Sequence, residues 1–527
     1  MRRFVISALG APLLLLLAAC AAPPADLDAP TETEVTRNLR TAFDYLYDNY
    51  YDEDIRLENV VLPGLQNLSS LEPGLQIVDA PIPLYRFRTE VLLNGAVIHT
   101  FHKPAWYAGD GWAAVVRETI KALKKVSPEV AAASWVETTD LVLAGAASAL
   151  DDESVYISRR ELKALGLISD KADGTEAEEE EEEPSAAAGI RLHEAGGATR
   201  IAQVRRNSEA AQAGLRVGDI VESVNGQTTG TFSRLQMAMQ FVGPPDSEVT
   251  LLTRAAGTEQ TREVKLTRET VSFSAPVAVW RDRILYLQLT SVWGDTIDAV
   301  EQLLRGEHAK GDDAAVGIIL DLRGTYSANA FAAARFLDIF IERGQTYFRS
   351  KGRSLLANHR FRSRETPVDT EIPLVVLVNG ETAGAAENMA AVVQDLGRGI
   401  VLGSNTQGQG RLQQGVFLYN GGILAFTGTL LFAPAGYALD ERGVLPMICS
   451  GLVGSGSEAL TRLRDGEAHI SRAIRNIDID PAKAAAIAAQ RERCPQRTSH
   501  SDADLELAQA ILQDAALYTA LLAADRP

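Results

Sequence analysis

Six consecutive glutamates, Glu178 to Glu183, form a stretch of this 527-residue chain that no folded core can absorb. Asp170, Asp173 and Glu176 precede them and Pro184 closes them. Carboxylates at that density repel one another and keep their water, so residues 168–188 read as a solvated linker, and the chain must fold as separate parts on either side. A loose cation sink or an acidic docking tail is the other reading, and no ligand spacing supports it. An apolar share of 46% gives the parts enough material for real cores. The net charge of −18 argues against nucleic acid as a partner and predicts a self-repelling surface.

The N-terminus reads as an address, residues 1–20. Arg2 and Arg3 precede an apolar stretch, Phe4 to Leu17, too short for a stable spanning helix. Leu17-Ala18-Ala19-Cys20 then has the form of a bacterial lipobox, with Cys20 as the lipidated residue. An ordinary signal peptide that happens to end in Cys is the alternative. Acyl chains on Cys20 would anchor the chain to a membrane face. The expected place is the bacterial cell envelope, periplasmic side, and with Ala21 rather than Asp after the cysteine the outer membrane is the expected leaflet. Residues 21–33, with Pro23, Pro24 and Pro30, form a tether. Cys449 and Cys494 remain as candidates for a disulfide in an oxidising compartment, or as two buried free thiols.

Residues 34–167 are expected to be mainly helical. Leu39, Phe43, Leu46 and Tyr47 recur at helical spacing, and helical patterns resume from Gly111 to Leu150 and from Arg159 to Leu167. A β-rich interlude from Gln76 to Phe101 interrupts them, with Asn94-Gly95 marking an inserted hairpin. Residues 189–274 change to short strands. In residues 275–450 the apolar runs Ile284 to Leu289, Val316 to Leu322, Leu374 to Val378 and Ile400 to Gly403 alternate with helical patterns from Ala328 to Ile341 and Ala385 to Val393. That rhythm calls for a layered α/β core with partly parallel pairing. In residues 451–527, Leu505, Ala508, Ile511, Leu512, Ala515 and Leu522 form a helical stripe after Ser501, a candidate N-cap. The stripe must be buried on this chain's core or on a partner. The fold class is multidomain α+β, with a helical C-terminal segment.

Ala210-Ala211-Gln212-Ala213-Gly214-Leu215-Arg216-Val217-Gly218-Asp219-Ile220-Val221, followed by Val224-Asn225-Gly226, resembles the PDZ signature of bacterial periplasmic proteases. Its physics agrees, since Gly214 and Gly218 permit tight bends and Asn225-Gly226 favours a hairpin turn. A PDZ domain takes up a peptide as an added strand and holds its terminal carboxylate on backbone N–H groups. By position the resemblance puts that site at Gly189, Ile190, Arg191 and Leu192. Arg191 stands where family members usually carry Gly, so the loop is either altered or pairs a guanidinium with the carboxylate. A PDZ domain that only packs within its own chain is the other reading.

Further motifs follow in one order: Leu150-Asp151-Asp152-Glu153-Ser154-Val155-Tyr156, the PDZ signature, Asp321-Leu322-Arg323-Gly324, Gly403-Ser404-Asn405-Thr406-Gln407-Gly408-Gln409-Gly410, then Pro434-Ala435-Gly436 with Gly443-Val444-Leu445-Pro446. Together they resemble the C-terminal processing, or tail-specific, serine peptidases over most of residues 34–450. The resemblance implies a crotonase-like α/β peptidase core. The interlude and the acidic linker stand as insertions relative to that family.

In that family a serine in a Ser-Ala-Ser-Glu stretch attacks the scissile carbonyl, and a neutral lysine in Thr-Phe-Gly-Lys-Gly takes its proton. Aligned on Glu387, the serine position holds Gly384; aligned on Gly408 and Gly410, the lysine position holds Gln409. Glycine cannot form an acyl-enzyme, and an amide has no useful basicity. The family's Asn-Pro-Gly-Gly oxyanion stretch is replaced by Thr325-Tyr326-Ser327-Ala328. Only Gln413, at the accessory glutamine position, is retained, and structural hydrogen bonding is its expected role. Thr382 and Ser404 are the nearest hydroxyls that could relocate the nucleophile, and Lys351, in a polar segment rich in Arg, is the sole lysine between Gly324 and Gly443. No His or Cys spacing suits a metal and no glycine loop suits a dinucleotide, so neither metal nor cofactor is expected.

Two function classes follow. In the first, a lipid-anchored periplasmic pseudopeptidase binds protein C-termini or partner proteins, an active peptidase or envelope protein among them, without hydrolysis. In the second, the chain is an active serine-type endopeptidase with relocated catalytic residues. A purely structural envelope lipoprotein is a third reading.

Overall fold

A computed structural model describes residues 30–82, 86–164, 186–195, 198–204, 208–216, 218–231, 237, 240–243, 246–255, 257–270, 276–289, 292, 294–327, 329–454, 456–477, 483–497 and 502–525. Cys20, the run Glu178 to Glu183, Ala328 and Ser501 lie outside them, as does the side chain of Arg191. The chain divides into two compact units. One comprises Met1–Thr270, Gly352–Leu355 and Gln413–Gly428; the other comprises Val271–Lys351, Leu356–Leu412 and Thr429–Pro527.

In the first unit, the helix Glu32–Asn49 opens on a capping box in which Thr31 and Glu34 satisfy each other's main-chain N–H groups. Leu39, Phe43 and Leu46 of its stripe are fully buried, against Trp112 and Ile120 of the helix Gly109–Val126 and Val142 and Leu143 of the helix Trp135–Ser148. Tyr47, at the end of the stripe, is half-buried. Val416, Leu418, Leu424 and Phe426 complete this core, and Val155–Ile157 pairs antiparallel with Ile423–Ala425. The interlude is more than the single hairpin expected: Leu75–Ile82, Arg86–Leu93 and Ala96–Phe101 form a three-stranded antiparallel meander, with Asn94 and Gly95 both at positive φ in its second turn.

The same unit holds a sheet ordered Thr261–Thr267, Glu248–Arg254, Ile220–Val224, Ala198–Val204, Ile190–Ala195. Gly214, Gly218, Asn225 and Gly226 all take positive φ. Folded structure begins before residue 189, because Ala186–Ala187, read from sequence as the end of the linker, pairs with both Val242–Gly243 and Glu269–Thr270. Two alanines carry too little pattern to signal a strand by themselves.

The second unit is built on a six-stranded sheet ordered Val277–Arg281, Ile284–Gln288, Gly317–Asp321, Leu374–Val378, Ile400–Gly403, Ile448–Cys449. The first pair is antiparallel and the others are parallel. Leu374, Val376 and Val378 face a core with Phe336 and Met389, while Val375 and Leu377 face Leu505, Ala508 and Ile511 on the other side. Both faces are covered, which is why these strands read as unbroken apolar runs. Leu505, Ala508, Ile511 and Leu512 of the C-terminal stripe are therefore buried on this chain's own sheet, while Leu522 is half-buried and Ala515 exposed. The stripe is split between two helices, Asp502–Gln513 and Ala515–Ala524, bent by 99°. Among the described residues no single helix is long and apolar enough to cross a membrane. The helix expected from residue 328 to 341 spans Ala330–Leu337, because Asn329 caps it with its side chain on the N–H groups of Phe331 and Ala332.

Candidate functional site

The strand Leu374–Val378 runs through Asn379–Thr382 into the helix Ala385–Asp395, and Gly384 is the helix N-cap with φ 63° and ψ −131°. Such a sharp strand-to-helix turn is what presents the nucleophile in α/β-hydrolases. Here nothing is presented. Ala383–Gly384 pairs in parallel with Tyr326–Ser327, Ser327 opposite Gly384. A Cβ placed on Gly384 would lie 2.4 Å from the Ser327 carbonyl oxygen. The 325–327 loop thus closes onto Gly384, the residue that sequence reading put at the nucleophile position. Every residue from 381 to 390 is buried.

Both loops are fastened from below. The Asn379 side-chain oxygen accepts from the N–H groups of Gly324 (3.0 Å) and Glu381 (3.1 Å). Thr325 Oγ1 donates to the Leu289 carbonyl at 2.6 Å, and Ala383 N–H donates to the Thr325 carbonyl at 3.0 Å. Asp321, at the end of its strand, takes Nε and Nη2 of Arg323 and the hydroxyl of Tyr286. The Asp-Leu-Arg-Gly motif is thus a buried ion pair that sets the direction of the 324–327 loop.

Glu387 ties the site together. It is fully buried and accepts from Gly384 N–H at 3.0 Å and Gln409 N–H at 2.8 Å on one oxygen, and from Gly408 N–H at 2.7 Å and the Thr406 hydroxyl on the other. Burial pushes its carboxyl above the ordinary range, and the four donors hold it down. The Gly384 bond is half of a capping box, reaching back from the third helical residue. The two positions read from sequence as the lost dyad, Gly384 and Gln409, are therefore brought together, but by their main-chain N–H groups on one oxygen atom. Sequence reading used Glu387 only to align the motif. A lone carboxylate within Ala-Ala-Glu-Asn-Met-Ala-Ala was the signal for its structural role.

Neither candidate relocated hydroxyl meets a base. Thr382 Oγ1 donates to the Leu322 carbonyl at 2.8 Å and accepts from Asn379 N–H at 3.0 Å. Ser404 Oγ donates to the Arg497 carbonyl at 3.3 Å and accepts from Arg497 N–H at 3.1 Å. Lys351 is exposed at the end of the strand Thr346–Lys351. In the first unit, Gln413 Nε2 donates to Glu153 Oε2 and Thr427 Oγ1, each at 3.0 Å, so its amide fastens the Asp-Asp-Glu-Ser motif to its own core.

A C-terminal segment lies over these loops. Cys449 and Cys494 form a disulfide that closes a separation of 45 residues. Arg491 donates to the carbonyls of Glu441, Thr406 and Gln407, Gln496 Nε2 to that of Thr406, and Gly380 N–H to the Arg497 carbonyl at 2.8 Å. No sequence motif pointed to this strap.

In the first unit, Ile190–Ala195 is an edge strand of its sheet, preceded by Gly189 at φ 73°. Ile190 and Leu192 pack on the core of that sheet, and Arg191 lies between them. Among the described residues no strand pairs with the outer edge of Ile190–Ala195, the geometry needed for peptide uptake by augmentation.

Residues 283–449 match peptidase family S41, and residues 200–254 match a PDZ domain. The chain is 26% identical over 243 residues to a carboxy-terminal-processing protease of Bartonella bacilliformis, covering 46% of this chain and 56% of that protein. It is 28% identical over 245 residues to a carboxyl-terminal-processing protease of Synechocystis, covering 45% and 56%. The chain spans a little over half the length of these curated relatives. Among solved structures, a photosystem II D1 C-terminal processing protease matches with a TM-score of 0.50 at 23% identity, over 63% of this chain and 85% of that one, a likeness of fold.

Proposed function

We propose, from the premise that this chain belongs with the CtpA-like carboxyl-terminal-processing family through its S41 peptidase and PDZ domains, that it holds polypeptide C-termini and does not cut them. One observation carries the reading: the nucleophile position is a glycine whose missing side chain would collide with the Ser327 carbonyl oxygen at 2.4 Å. No acyl-enzyme can form there. Thr382 and Ser404, the hydroxyls read from sequence as relocated nucleophiles, spend their protons on main-chain carbonyls, so neither is activated. Among the described residues Ile190–Ala195 has no strand on its outer side, which suits capture of an extended chain end. Lipid attachment at Cys20 and residence on the periplasmic side of the envelope belong to the same proposal, on the strength of Leu17-Ala18-Ala19-Cys20.

The test uses the chain from residue 21 with labelled, unfolded peptides ending in apolar residues. Binding without new termini by mass spectrometry is expected, weakened about tenfold when the peptide C-terminus is amidated, a loss of about 1.4 kcal/mol. Turnover that survives purification and vanishes on Thr382→Ala or Ser404→Ala would establish an active endopeptidase instead.

A further inference from the structure

In the second unit, the strands Thr346–Lys351 and Arg360–Arg362 form an antiparallel ladder in which Arg349 stands directly opposite Arg360. Arg349 and Lys351 are exposed on the first strand; Arg360 and Arg362, then Arg364 just beyond, are exposed on the second. The residues between them, Ser350, Phe361 and Ser363, are buried, so the five cations share one face. None has an ion-pair partner among the described residues. Like charges directly opposite each other destabilise a ladder, and this protein carries a net charge of −18 yet gathers cations here.

Protection against edge-to-edge aggregation accounts for charge on the outer strand, since Arg360–Arg362 ends its sheet. It does not account for Arg349 and Lys351. Their strand is already paired on both sides, with Arg360–Arg362 and with Leu430–Phe432. We infer that this face is a second docking surface, for an acidic, extended polypeptide segment that adds to the Arg360–Arg362 edge as a strand. Alternate residues of a strand lie about 6.8 Å apart, so carboxylates two positions apart in the incoming segment meet Arg360 and Arg362 in turn, up to Arg364, whose N–H is taken by Asp338 Oδ1 at 3.2 Å. A bilayer surface fits less well, because none of the exposed residues within the two strands is apolar.

The experiment uses the chain from residue 21 and a labelled peptide copying residues 175–184, Thr-Glu-Ala followed by six Glu and Pro. Fluorescence anisotropy should show saturable binding that weakens about tenfold or more between about 50 and about 200 mM NaCl. Arg360→Glu with Arg362→Glu should abolish it, with circular dichroism unchanged, whereas Arg305→Glu, an exposed cation on a helix, should leave it unaltered. Alternate N-methylation of the peptide backbone should weaken it by about tenfold or more, because it removes ladder hydrogen bonds. Equal losses at Arg305 and at the ladder, no effect of N-methylation, or no binding of the peptide would each overturn the proposal. So would preferential binding to phosphatidylglycerol vesicles.

Discussion

The carbonyl oxygen of Ser327 occupies the space that a side chain on Gly384 would need, 2.4 Å from its Cβ position. Restoring the family's serine by Gly384→Ser therefore meets two costs, a positive φ for a non-glycine residue and a clash with backbone that is itself strand-paired. The variant should lose about 1–3 kcal/mol in urea unfolding, and Gly384→Ala should lose the same. Neither Gly384→Ser nor its combination with Gln409→Lys should cleave a fluorogenic peptide. Turnover by the double variant would show that the 325–327 loop opens easily, against the reading given above.

Glu387→Gln tests the carboxylate that gathers Gly384, Thr406, Gly408 and Gln409. Oε2 accepts from both Gly384 and Gln409, and an amide nitrogen in its place would present protons to two donors. Each donor left unpaired should cost about 1–3 kcal/mol. Hydrogen exchange should rise at residues 384 and 406–409 well before global unfolding. A variant as stable and as protected as the parent would mean that the four bonds contribute nothing.

Much of the second unit was legible because its physics is local. Strands covered on both faces leave continuous apolar runs such as Leu374–Val378, and the helix behind them begins at a glycine. Gly384 and Gln409 were assigned to the dyad positions through their neighbours, Glu387 and the glycines at 408 and 410, and their main-chain N–H groups meet on Glu387. Other features depend on distant partners. Val416, Leu418, Leu424 and Phe426 join the core of helices that begin at residue 32, and nothing in residues 413–428 announces that allegiance. The strap is also nonlocal: Gln496 and Arg497 act on residues 380, 404 and 406 through main-chain carbonyls and hydroxyls, which carry no sequence code.

The disulfide holds that strap. Cys494→Ser should lower the stability of the second unit by about 3–4 kcal/mol, the chain-entropy value for a loop of this size. Losing the bridge should also free the segment locally, exposing the Gly380 N–H that donates to Arg497. Hydrogen exchange at residue 380 is the deciding measurement. Unchanged protection there would show that Arg491, Gln496 and Arg497 hold the strap without the bridge.

Asp395 makes the pH dependence of the second unit specific. Burial pushes its carboxyl up to about 6, against 3.8 for an ordinary aspartate, despite the Ala435 N–H and the charge of Arg475. Between those two values the folded chain holds a proton that the unfolded chain has released. This group's contribution is therefore fully present below about pH 4 and is lost as pH rises through about 6. Asp395→Asn keeps the oxygen that accepts from Ala435 and cannot ionise. Stability measured by denaturant unfolding from pH 4 to pH 7.5 should fall less steeply in the variant than in the parent, and at pH 7.5 the variant should be the more stable of the two. Parallel curves would mean that Asp395 is ionised in the folded state throughout, with the buried guanidiniums of Arg442 and Arg475 neutralising its charge.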